Sequence, residues 1–177
     1  MRKQSGQTLL EILLAFSVAI LVLGSIVFGV TTSLSNAQYT KNQGLATSFA
    51  TEGMTVVRKI RDSSWNNISS LADFTNNEKY CLDKNLHFTE IPVGQNCDGS
   101  TYGLGDSGIF SREVRFEHNK SECCPSSGCS SGSVVTSRVT VKVSWADNKC
   151  PAGASNPLCH SVQLISCFSN IDSKQMP

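Results

Sequence analysis

From Ile12 to Val30 the chain carries no charged residue. As a helix, residues 7–30 would rise about 36 Å, enough to cross a bilayer core of about 30 Å. A secretory signal peptide has an apolar core of about 7–15 residues followed by a small-residue cleavage site. This run is longer and no such site follows it, so it reads as a retained, single membrane-spanning helix. Arg2 and Lys3 precede it, which by the positive-inside bias places the N-terminus in the cytoplasm and everything after Val30 outside. The 177 residues carry 15 basic and 14 acidic side chains. That balance argues against a general nucleic-acid binder, which shows a clear basic excess. The length excludes a TIM barrel or a two-domain dehydrogenase. Only 16% of residues are charged, and all of them lie outside the apolar run. A membrane segment with a polar domain attached fits this division.

The cysteines agree with that topology. All eight, Cys81, Cys97, Cys123, Cys124, Cys129, Cys150, Cys159 and Cys167, lie beyond the apolar run in Ser- and Gly-rich sequence. An even number in such a setting points to disulfides and an oxidising compartment. A structural zinc site would show paired short spacings such as C-x2-C, and no C-x-x-C occurs. Eight cysteines allow 105 pairings. Local loops favour Cys81 with Cys97 and Cys150 with Cys159, and adjacent Cys123 and Cys124 are expected to bond to different partners.

Glu11 sits at the start of the apolar run. A carboxylate there is costly and is a functional hypothesis by default; taken alone it also fits an interfacial Glu helped by the helix dipole. The sequence around it is more specific. A short basic leader, Gly6, the polar pair Gln7–Thr8, Leu9-Leu10-Glu11 and a long apolar helix together resemble the N-terminus of type IV prepilins and pseudopilins. The resemblance covers residues 1–30. It implies that a membrane aspartic prepilin peptidase cuts after Gly6, that Gln7 becomes an N-methylated N-terminus, and that Thr8 and Glu11 lie in the assembly segment. Gln7 stands where the family most often has Phe. Cleavage would expose an amine at Gln7. Glu11 of one subunit can pair with that amine on a neighbour, and the pairing offsets part of the desolvation of both charges. The same carboxylate can also reach its own amine.

No proline occurs before Pro92, and the helical pattern continues past the membrane. At 100° per residue, Leu45, Phe49, Gly53, Val56 and Ile60 form one narrow stripe, with Arg58, Arg61 and Asp62 directed away. A helix over 7–65 would be roughly 90 Å long. The segment Glu52 to Asn66 resembles the end of the long helix in minor pilins and minor pseudopilins, and Asn66–Asn67 is a natural stop. Arg58, Lys59 and Arg61 read as a solvated helix face rather than a DNA contact.

From Ser69 to Gly108 no period emerges, and the segment reads as loop. Three strands follow, over 109–117, 134–145 and 161–168. The second is the clearest, with Val139, Val141, Val143 and Trp145 on one face and Arg138, Thr140, Lys142 and Ser144 on the other. Consecutive strands with short connections favour an antiparallel meander, one face covering the Leu45–Ile60 stripe. The fold class is therefore α+β: a long N-terminal helix, its first half transmembrane, packed on a small antiparallel sheet with disulfide-rich loops, pilin-like under the resemblance. The divisions are leader 1–6, transmembrane half 7–30, amphipathic half 31–66 and extracytoplasmic head 67–177.

No enzyme is expected. Gly105-Asp106-Ser107-Gly108 matches a string around a serine nucleophile, but the following Gly-Pro is missing and His87, His118 and His160 are scattered. Asp147–Asn148 lacks the pattern of a calcium loop, and no phosphate- or dinucleotide-binding fingerprint is present. No metal and no cofactor are expected. The resemblance implies a structural minor subunit of a type IV pilus or pseudopilus. Its partners would be prepilin peptidase, other pilin or pseudopilin subunits and membrane lipid, and its assembled place a cell-surface fibre. The rival is a membrane-anchored surface receptor or adhesin with a disulfide-rich binding domain, which would need neither Gly6 nor Glu11.

Overall fold

Without a proline to remove a donor, the first third of the chain forms one element: α1 spans Ser5–Ser63. The computed structural model describes residues 5–71, 79–91, 95–97, 102–105, 108–124, 135–147, 149–151 and 158–170. The chain divides into two units, Met1–Lys41 and Asn42–Pro177.

The first unit is helical from Ser5. From Leu9 to Val30 its large apolar side chains are between 51% and 74% exposed. The helix is long and apolar enough to cross a membrane, and none of its apolar window is buried. The two serines of that window do not leave polar groups unsatisfied. Ser17 Oγ donates to the Leu14 carbonyl and Ser25 Oγ to the Val22 carbonyl, both at 2.8 Å. In hydrocarbon, where a free hydroxyl is costly, this is the arrangement a spanning helix requires.

The second unit holds the core. Its five strands are β1 (Lys79–Leu82), β2 (Phe88–Ile91), β3 (Phe110–His118), β4 (Thr136–Trp145) and β5 (His160–Ser169). They form one sheet in the order β2-β1-β3-β4-β5, with every neighbouring pair antiparallel. The expected meander is β3-β4-β5, and the class is α+β as the sequence indicated. The segment read as loop, however, contains the β1–β2 hairpin, which adds to the free edge of β3. Asp83 shapes its turn: Oδ1 accepts from the backbone N–H of Asn85 and of His87.

Inward residues of β3 and β4 (Phe110, Val114, Phe116, Val139, Val141, Val143, Trp145) are at most 2% exposed. Full burial of a Val or larger apolar side chain contributes about 1.5–3 kcal/mol. The second half of α1 lies on this face, as expected, but not along the expected line. The buried helix residues are Ala46, Ala50, Gly53, Met54 and Val57. Phe49, Val56 and Ile60 are half-buried, and Leu45 is 39% exposed. The buried seam is rotated by about 85° from the stripe of large side chains, at 100° per residue. Small residues face the sheet, so the helix backbone approaches closely, and the larger ones flank it; Phe49 meets Phe110 edge-on at 5.3 Å. Arg58 and Asp62 point outward, whereas Arg61 pairs with Asp62 and also lies 5.2 Å over the Phe168 ring. Asn66 and Asn67 do not end the helix; they open a short second one, α2 (Asn66–Ser69), after the buried Trp65.

Candidate functional site

The assembly segment singled out in the sequence falls in the first turns of α1. Gly6, Gln7 and Thr8 are helical in backbone; the preceding leader residues 1–4 lie outside the described residues. Glu11 is exposed. Residues four apart share a helix face, so Glu11 lies in line with Gln7 before it and with Ala15 and Ala19 after it. Ala15 and Ala19, flanking Ile12 and Phe16 on the helix surface, leave a shallow, open notch lined by these four residues. Small residues at this spacing let a second helix backbone come close in a membrane. The segment thus combines a carboxylate, a notch and a fully apolar surround on one helix.

In the second unit the groups with the most chemistry are used to hold the fold. Arg112 was not singled out in the sequence. Its side chain has no solvent exposure, yet it lies on the core face of β3 with Phe110 and Val114. Nη1 donates to the Phe49 carbonyl and to Glu52 Oε2, both at 2.8 Å. Nη2 donates to the Asp83 carbonyl at 3.0 Å and Nε to the Leu82 carbonyl at 3.3 Å. Burial pulls its pKa below the ordinary arginine value, and the hydrogen bond and charge of Glu52, with the charge of Asp83, push it back up. Arg112 therefore ties α1, β1 and β3 together. Gly53 makes room for it: a Cβ there would stand 3.0 Å from Arg112 Cδ and 3.0 Å from Val141 Cγ1.

The outward face of the sheet is charged, and its ion pairs are mostly half-buried. Glu113 pairs with Lys79 at 3.2 Å and with Arg115. Glu117 pairs with Arg138 at 2.6 Å and Lys120 at 3.4 Å, and Arg138 also reaches Glu122. The hydrogen bonds to Glu117 and Glu122 raise the Arg138 pKa further above its already high ordinary value.

Three disulfides join described cysteines. Cys81–Cys97 and Cys150–Cys159, the two local loops favoured from sequence, both form, each with a Cα–Cα distance of 5.5 Å. Cys123 bonds Cys167, tying the segment after β3 to β5. Cys124 is also disulfide-bonded; Cys129 lies outside the described residues. The histidines do not gather. His118 Nε2 meets the Leu71 carbonyl at 3.0 Å, while His160 Nε2 meets Asp147 Oδ1 at 3.0 Å. The register Phe110↔Trp145↔His160 places His160 and His118 at opposite ends of the sheet, and His87 is exposed in the hairpin turn. Asp106, Ser107 and Asn148 lie outside the described residues.

Asp147, Cys150, Cys159 and His160 form a cluster whose donor atoms all lie within 4.8 Å of one another. The two sulfurs are bonded to each other, which leaves one carboxylate and one imidazole as ligands in this state. No family model, curated protein or solved structure matches the chain.

Proposed function

We propose that the chain is a structural minor subunit of a type IV pilus or pseudopilus, assembled through the membrane half of α1. The observation that carries the reading is Glu11: the one carboxylate of the first unit, at the head of its exposed apolar stretch, one turn after Gln7 and in line with Ala15 and Ala19. A plain anchor gains nothing from a charge at this depth, where it costs free energy. A subunit that packs its helix among others gains a partner for a neighbour's amine. Cleavage after Gly6 by a prepilin peptidase supplies that amine at Gln7. The notch at Ala15 and Ala19 supplies the close helix approach, and the amphipathic half of α1 carries a disulfide-stapled head outside the membrane. The function is structural and non-enzymatic.

The test compares wild type with Glu11→Leu. The substitution makes membrane insertion easier and lies far in sequence from every buried residue of the head. In an apolar bundle it leaves the Gln7 amine without a counter-charge. Breaking a buried pair in this way costs about 3–5 kcal/mol, more than a hundredfold in incorporation. The expected outcome is a normal membrane level, normal head disulfides and loss from sheared fibres or cross-linked oligomers. Normal incorporation would make Glu11 an interfacial residue and the chain an anchored receptor or adhesin. Intact mass with and without the peptidase checks the first step: loss of Met1–Gly6 in wild type, and none in Gly6→Leu.

A further inference from the structure

We propose that Asp147, Cys150, Cys159 and His160 form a zinc site that exists only while the Cys150–Cys159 disulfide is reduced. The connection between β4 and β5 is then closed by a disulfide in one redox state and by a metal in the other. This rests on the head alone and stands whether or not the chain assembles into a fibre.

The geometry comes first. The donor atoms of the four residues already lie within 4.8 Å of one another. Tetrahedral zinc, with Zn–S of about 2.3 Å and Zn–N of about 2.0 Å, sets its ligand atoms roughly 3.3–3.8 Å apart. Once reduced, the two sulfurs, bonded to each other in the disulfide, must part to about 3.8 Å, while the widest-spaced donors, at most 4.8 Å apart, must close by about 1 Å to complete the site. The sheet holds His160 in place, and His160 in turn holds Asp147. His160 opens β5 opposite Trp145, the last residue of β4, and its ring lies 5.4 Å from the Trp145 ring. Its Nε2 is 3.0 Å from Asp147 Oδ1. A tight turn brings the third ligand in: Cys150 N–H donates to the Asp147 carbonyl at 3.2 Å, and Asp147 N–H donates to Cys150 Sγ at 3.5 Å. Two thiolates, an imidazole and a carboxylate are a soft, nitrogen- and sulfur-rich set. It suits zinc and not calcium or magnesium, which take oxygen ligands.

The chemistry balances with a dithiol reductant. The dithiol gives two electrons and two protons to the disulfide, yielding two cysteine thiols and the oxidised dithiol. Zinc then displaces the two thiol protons and binds both thiolates, neutral His160 and the Asp147 carboxylate. In the reverse direction the two thiolates pass two electrons to the oxidised dithiol, which takes up two protons to become the dithiol again; the protein disulfide re-forms and the metal is freed. Access favours this disulfide over its neighbour. Cys159 is exposed and Cys150 half-buried, whereas Cys81 is 0% and Cys97 2% exposed. A reductant in solution meets Cys159 while Cys81–Cys97 still staples the core.

The test uses the full chain in detergent micelles, titrated with dithiothreitol without denaturant. Labelling of each cysteine by iodoacetamide is read by mass spectrometry, with and without zinc chloride. Cys150 and Cys159 should open while Cys81–Cys97 stays bonded, and zinc should then slow alkylation of both by at least about tenfold, the scale on which metal-site contacts act. Cobalt should give the absorption of a tetrahedral thiolate complex at one ion per chain. His160→Ala and Asp147→Ala should each remove the protection, with the retained Cys81–Cys97 bond reporting that the variant is folded. Equal labelling rates with and without zinc would overturn the proposal. So would undiminished protection in His160→Ala, zinc binding by the oxidised chain, or opening of Cys81–Cys97 before Cys150–Cys159.

Discussion

Arg112 makes four hydrogen bonds to partners on two other stretches of chain, and its side chain has no solvent exposure. Replacing it with Met keeps most of the stem volume and removes every donor. Glu52 is 50% exposed and can turn to water, so most of the loss comes from the carbonyls of Leu82, Asp83 and Phe49. The Asp83 carbonyl keeps the Leu86 N–H at 3.1 Å and the Phe49 carbonyl stays within the helical ladder of α1, so what is lost is the hydrogen bonds to the charged guanidinium, about 1.5–3 kcal/mol each and not additive. Arg112→Met should therefore lower the stability of the head by about 3 kcal/mol, read from the urea midpoint. Gly53→Ala tests the same contact from the helix side. Ala gains about 1 kcal/mol of helix propensity, but its Cβ would press on Arg112 Cδ at 3.0 Å, and a guanidinium held by four bonds cannot yield. A net loss is expected, smaller in the Arg112→Met background; additive losses would show that the two positions do not couple. Sequence periodicity made Gly53 visible as part of a helical stripe and left Arg112 hidden. A charged residue between Phe110 and Val114 breaks the apolar alternation. Its counter-charge, Glu52, is 60 positions away, beyond the reach of any local pattern.

At the scale of elements, the same physics decides what could be read in advance. β4 runs for ten residues, and its partners β3 and β5 for nine and ten, long enough for a period of two to stand out over most of each strand. β1 and β2 have four residues each, and β1 is buried at all four positions, so no alternation exists to be read. The seam of α1 was displaced because Ala46 and Ala50 count for little as apolar residues but are chosen for closeness to the sheet. The disulfides divide in a related way. The loops closed by Cys81–Cys97 and Cys150–Cys159 have separations of 16 and 9 residues, short enough to favour on chain entropy alone. Cys123–Cys167 spans 44 and needs the β3-β4-β5 meander to bring its ends together. Loop closure predicts a larger contribution from that long bridge, about 4 kcal/mol against about 2.6 kcal/mol for Cys150–Cys159. Paired Cys→Ala variants measured by chemical unfolding should show this ranking. The reverse order would mean that strain or residual structure in the unfolded chain dominates.

For the whole molecule, the division at Lys41 and Asn42 separates two kinds of stability. Among the described residues, every buried side chain lies at Ala46 or beyond. The exposed apolar residues from Leu9 to Val30 contribute no surface to that core, so their hydrophobic effect is unspent until lipid or another helix covers them. A chain that begins at Thr31 should therefore keep the entire core, the Arg112 clamp and the disulfides, and be soluble without detergent. Its stability in the detergent used for the full chain should lie within about 0.5 kcal/mol of the full chain's, as expected for changes that leave the core untouched. The same truncation removes Glu11 and the notch at Ala15 and Ala19, so it should be absent from fibres even when exported through a cleavable signal peptide. Both readouts are needed. A soluble, fully oxidised head that never joins fibres places assembly in the first unit. An unfolded or aggregated head would mean that residues before Thr31 complete its core, and a head that still co-purifies with fibres would place the binding surface on the sheet or its loops rather than on the membrane half of α1.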